Sequence, residues 1–157
     1  MLALLAALLA TLSTGINPVP AQAAVQAGEA TASLGVAART PRVYPQSDGR
    51  WRKVTFPLTA AGASAARNYV HDRAKCGDAF CAITFDGSGY AVFAFSRCDR
   101  FRLEHFHGYF DAHNHGSLTV ELLDVNLDRN QWVYGGAPDL VDWEPVYFVR
   151  TCSSLRP

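Results

Sequence analysis

From Cys81 to Cys152, apolar and polar residues alternate in short bursts between turn formers. "CAITF" stops at "DGSG" (Asp86 to Gly89), a hairpin signal: aspartate closes a turn on its own backbone, and glycine tolerates the left-handed conformations of tight turns. "YAVFAF" follows. After "SRCDR", the stretch "FRLEHF" sets Phe101, Leu103 and His105 against Arg102, Glu104 and Phe106. "SLTVELLDV" places Leu118, Val120 and Leu122 on one side. "NLDRN" and "GGAPD" read as turns flanking the strand "QWVY", and "PVYFVRTC" reads as the last strand. "GRWRKVTFP" alternates too, with Trp51, Lys53 and Thr55 against Arg52, Val54 and Phe56. A period of two is that of a half-buried strand. Strands recurring at roughly 8 to 12 residues predict a small antiparallel β-meander, closed as a sandwich or barrel.

One stretch breaks this period. Residues 59 to 75, "TAAGASAARNYVHDRAK", bring Ala66, Tyr69, Val70 and Ala74 onto one face of a helix. Thr59 or Ser64 supplies an N-cap, Arg73 and Lys75 suit the negative end of the dipole, and Gly77 is a stop signal. The fold class is therefore mainly β with one preceding helix. His71 falls on that helix and reads as a solvent-facing side chain.

The N-terminus has another character. "MLALLAALLATLSTGINPVPAQA" is apolar, is broken by Pro18 and Pro20, and ends in the A-x-A pattern Ala21-Gln22-Ala23. Its apolar run is shorter than the roughly 20 residues that span a bilayer as a helix. We read residues 1–23 as a secretory signal peptide, 24–48 as a flexible leader rich in small and polar residues, and 49–157 as a single domain. The expected location is secreted, with no membrane segment left after cleavage. Behind an export signal, the four cysteines predict two disulfides. Of the three pairings, Cys76–Cys81 closes the short turn "CGDAFC", and Cys98–Cys152 ties the last strand to the middle of the domain. A zinc-thiolate site at Cys76-x4-Cys81 is the competing reading.

The order of motifs from Cys76 to Cys152 resembles small exported actinobacterial disulfide-bonded β-proteins, a group mostly without assigned function. A close cysteine pair precedes "GSGY". A third cysteine then opens "CDRFRL", followed by the glycine-centred "HFHGYFDAHNHGS" and "LDVNLDRN". The end, "WEPVYFVRTC", has the form W-x-P-V-x-x-x-R-x-C. More loosely, the layout is similar to secreted protease inhibitors with a βγ-crystallin-like fold, without that fold's repeated aromatic-x-Gly motif. The resemblance implies an exported β-domain and assigns no site residue.

Charge narrows the function classes. Lysine plus arginine equals aspartate plus glutamate, 14 against 14, so no global basic field draws the chain to nucleic acid. The densest chemistry is "HFHGYFDAHNH" (105 to 115), which holds four of the five histidines. If Gly108 to Ala112 form the loop of a β-hairpin, His105 and His107 face His113 and His115, and with Asp111 would suit zinc or copper. Otherwise the hairpin is a polar surface and no cofactor is expected. "DVNLDRN" spaces its acids like a calcium loop, but Arg129 and Gly135 occupy the positions that need Gly and an acid, so it reads as a hairpin turn. Glu104, Asp111, Asp124 and Glu144 are available for glycoside hydrolysis, with nothing to single out a pair. "GSG" is no nucleophile elbow, and Ser88 has no evident base. By alternation, Trp51, Trp132, Trp143, Tyr147 and Phe148 read as core. The leading functional expectation is a non-enzymatic extracellular binding protein, an inhibitor or surface-associated factor, whose partner is an extracellular protein or cell-surface component. The rivals are a small secreted hydrolase or metal-binding protein using the histidine-rich hairpin, and a secreted toxin or antimicrobial module.

Overall fold

Each alternating stretch buries one face, and two such faces close on each other. The computed structural model describes residues 39 to 153. The signal-peptide reading and the leader up to residue 38 lie outside them. Arg42–Pro45, within the stretch expected to be leader, form the edge strand β1. Then come β2 (Arg50–Pro57), helices α1 (Ala60–His71) and α2 (Arg73–Cys76), β3 (Phe80–Phe85), β4 (Gly89–Ser96) and β5 (Arg100–Glu104). β6 (Tyr109–Asn114), β7 (Thr119–Leu123), β8 (Arg129–Val133), β9 (Pro138–Asp142) and β10 (Phe148–Ser153) complete the fold.

The strands form two antiparallel five-stranded sheets, in the orders β1-β5-β10-β7-β8 and β2-β4-β3-β6-β9. The first is called the open sheet here, the second the helix-backed sheet. The mainly-β, sandwich-like expectation holds; the meander does not. Only β3/β4 and β7/β8 pair as sequence neighbours, and the other connections mostly cross between sheets. Both hairpins turn as their sequences demand. Asp86 Oδ1 accepts the amides of Ser88 and Gly89, and Asp124 Oδ1 accepts those of Asn126 and Asp128.

The main core lies between the sheets. Phe101, Leu103, Leu122 and Val149 of the open sheet meet Phe80, Phe93, Phe95 and Val141 of the other, with the Phe95 and Phe101 rings 5.1 Å apart. Each such side chain contributes about 1.5–3 kcal/mol by leaving water. A second cluster lies under α1, where Ala66 and Val70 pack on Cys81, Ile83 and Val92. Thr59 caps α1 through Gly62 N. Gly62 is required there, because a Cβ would lie 2.0 Å from the Pro57 carbonyl oxygen. The expected 59–75 helix is broken at Asp72, whose side chain accepts Ala74 N and so caps a new helix. That break turns Ala74, expected on the buried face, into solvent. The two disulfides are Cys76–Cys81 and Cys98–Cys152.

Candidate functional site

The histidine-rich stretch is not a hairpin. β5 belongs to the open sheet and β6 to the helix-backed sheet, so residues 105 to 108 are a crossover between layers. Alternation fails at His105, which has φ 59°. That left-handed residue ends β5 and sends Phe106 into the core, against Phe93 and Trp143 at 4.8 and 5.4 Å between ring centroids. Gly108, at φ 89°, completes the crossover.

The four expected ligands therefore separate. His105 and His107 lie before β6, their rings 6.4 Å apart. His113 and His115 lie at its far end, four and six residues or roughly 13 and 20 Å of chain beyond Tyr109. Among the described residues, no three His, Cys, Asp or Glu side chains converge on a metal position. His105 and His107 border a groove of about 510 Å³ with Arg102, Glu104, Trp143, Glu144, Tyr147 and Phe148. His107 Nδ1 lies 3.4 Å from Glu144 Oε2, and both side chains are more than half exposed. The groove lining offers no serine, threonine or cysteine; its carboxylates are Glu104 and Glu144.

At the other end, a helix period meets a strand period. Arg67 and His71, four apart on α1, face Asp111 and His113, two apart on β6. Arg67 Nε donates to Asp111 Oδ2 at 2.7 Å, and Asp111 Oδ1 lies 3.6 Å from His71 Nε2. His71 Nδ1 lies 3.3 Å from His113 Nδ1. The His115 ring stacks on that of His113 at 3.9 Å, and its Nε2 is 2.7 Å from the Val70 carbonyl oxygen. His71 is solvent-exposed, as expected, and also stands at the centre of this row.

Burial foremost, then the neighbouring His115 and His71, pushes the His113 imidazole below the ordinary histidine range, against the Gly136 backbone, which raises it. The fold thus favours neutral His113, while the unfolded chain takes its proton near pH 6.5. That stability is complete above about pH 6.5 and is lost as pH falls through the lower folded value. A second loss follows in stronger acid. Burial raises the Asp86 and Asp99 carboxyls, but the amide of Ser88, with Lys53, at Asp86, and the amides of Ser47, Arg100 and Gly49 at Asp99, outweigh it. Both carboxyls are held below the ordinary range, and their contribution disappears as pH falls through those values. Urea denaturation of chelator-treated protein should show two acid steps, of which His113→Gln removes the first. A first step unchanged in that variant contradicts the assignment.

A third feature occupies the outer face of the open sheet. Register aligns Tyr44, Arg102, Phe148 and Leu123 in one row, and Arg100, Arg150, Glu121 and Trp132 in the next. Arginines sit over rings: Arg102 over Tyr44 at 4.8 Å, Arg100 over Phe148 at 6.0 Å and Arg129 over Trp132 at 4.4 Å. Glu104 holds Arg102 at 3.0 Å and accepts the Tyr44 hydroxyl at 3.1 Å. Glu121 pairs with Arg150 at 2.6 Å. α1 packs on β2, β3, β4 and β6, all of the other sheet. Of the aromatics expected in the core, only Trp143 is there; Trp51 and Tyr147 are exposed, and Trp132 and Phe148 half-buried. Arg102 and Phe148 also line the groove, so face and groove are continuous.

No family model matches the chain, and neither a curated protein nor a solved structure matches it significantly. The two disulfides point to an oxidising compartment outside the cytoplasm. Among the described residues, no helix is long and apolar enough to cross a membrane.

Proposed function

We propose that this protein is a secreted, non-catalytic binding protein whose open-sheet face and adjoining groove hold an anionic polysaccharide of a cell surface. One observation carries the reading: three arginine–ring pairs on one sheet face that, among the described residues, no helix covers, in a chain of zero net charge. Arg42, Arg100, Arg102, Arg129 and Arg150 outnumber Glu104 and Glu121 on that face. Aromatic rings receive the apolar faces of sugar rings, and guanidinium groups pair in two-pronged fashion with carboxylate or sulfate. Five strands spaced about 4.8 Å apart give a platform roughly 19 Å wide, enough for a short oligosaccharide. The resemblance to small exported β-proteins and the apolar N-terminus fit the same compartment.

The test is titration with polygalacturonate and dextran sulfate, with neutral dextran and poly(U) as comparisons. Binding to the anionic polysaccharides is expected, weakening as salt rises. Arg102→Ala should cost about 1.5–3 kcal/mol, the worth of hydrogen bonds to a charged group, or roughly ten- to a hundredfold in affinity. No binding, or binding indifferent to Arg102→Ala, contradicts the proposal. Tighter binding of poly(U) would reassign the face to nucleic acid.

A further inference from the structure

The row of side chains between α1 and β6 has no part in that reading. We propose that His71 and His113 form a two-histidine zinc site joining α1 to β6, with Asp111 orienting the His71 ring.

The separation of the two nitrogens is the first argument. His71 Nδ1 and His113 Nδ1 face each other at 3.3 Å, long for an N–H···N hydrogen bond. Two imidazole nitrogens on one tetrahedral zinc, each bonded at about 2.0–2.1 Å, lie about 3.3–3.4 Å apart. Neighbouring ligands of a square-planar ion with similar bonds would lie about 2.9 Å apart, so the geometry favours zinc over copper.

The surroundings supply the second argument. Asp111 Oδ1 faces His71 Nε2 at 3.6 Å. At this distance, longer than a hydrogen bond, its charge still favours the ring proton on Nε2 and the Nδ1 lone pair towards His113, an approach to the carboxylate–histidine–metal arrangement of zinc proteins. Arg67 fixes the other carboxylate oxygen at 2.7 Å. The His115 ring, tied to the Val70 carbonyl, stacks on His113 and restrains its rotation. Ala66 and Val70 anchor the helix over β3, so both nitrogens are positioned before any ion arrives. Two protein ligands leave two tetrahedral positions for water or an outside donor, and the His71 side chain is 34% exposed, so an ion has access.

The experiment is calorimetric titration of the chelator-treated protein with zinc chloride near neutral pH. One zinc per chain is expected. Binding is lost in His71→Ala and in His113→Ala, falls about ten- to a hundredfold in Asp111→Asn, and is unchanged in the His105→Ala, His107→Ala double variant. Circular dichroism checks that each variant is folded. If His113→Ala is not, the more exposed His71→Ala decides. Absence of zinc binding by the unsubstituted protein, survival of binding in His71→Ala, or its loss only in the double variant overturns the site.

Discussion

Replacing Cys98 and Cys152 together by alanine is expected to lower stability by about 4 kcal/mol, the chain-entropy value for the loop they close. The bond spans 54 positions and joins the segment before β5 to the bulged end of β10. Its neighbourhood is already crowded with local bonds. Asp99 N donates to Thr151 Oγ1 at 3.0 Å, Thr151 N donates to the Asp99 carbonyl at 2.9 Å, and Asp99 Oδ2 accepts Ser47 N and Gly49 N. The folded state is therefore little changed by losing the bond, and the effect falls on the unfolded chain. The Cys76–Cys81 bond closes a loop of only five positions and on the same reasoning contributes about 2 kcal/mol. Guanidinium denaturation of the two double variants measures both losses. Equal losses, or a larger one at Cys76–Cys81, contradict the entropic account.

Trp143→Ala should be as severe, at about 3–5 kcal/mol, the range for truncating a buried large aromatic. Trp143 is fully buried, and its ring meets Phe106 edge-on at 5.4 Å. Its backbone is pinned as well: Trp143 N donates to the Gly108 carbonyl at 3.0 Å, and its own carbonyl accepts Val146 N at 3.1 Å. The held backbone prevents collapse around the missing ring, so a cavity remains. Trp143→Phe should cost far less. It keeps an aromatic ring, and Trp143 Nε1 has no acceptor among the described residues to lose. Denaturation midpoints of the two variants check the contrast. A similar loss for Trp143→Ala and for the surface change Trp132→Ala contradicts this packing.

Much of the fold was legible because it is local. The "DGSG" turn, the β3/β4 hairpin and the Thr59 cap depend on residues a few positions apart. The pairing of four cysteines followed from spacing and compartment. What alternation does not say is which of two faces is buried. Phe148 and Trp132 obey the same period as Val149 and Val133, yet they lie on the sheet face turned away from the main core. For that reason alternation alone assigns Trp132 and Phe148 to the core. The hairpin expectation failed at one residue. His105 adopts a left-handed conformation, which few non-glycine residues take even though histidine is enriched among them, and it moves the chain between sheets. The pairing of His71 with His113 bridges 42 positions and exists only because α1 lies across β6. The i, i+4 placement of Arg67 and His71 was the available signal, a polar edge on the helix beside its apolar stripe.

The most direct test of the proposed binding face is a residue-resolved map by amide NMR during titration with a uronic-acid oligosaccharide. Shifts should concentrate on Tyr44, Arg100, Arg102, Trp132, Phe148 and Arg150, and extend to His105 and His107 in the groove. The amides of β2, in the opposite sheet, and of α1, packed on that sheet, should stay still. Shifts confined to α1 and β2, or none at saturating oligosaccharide, would contradict the account.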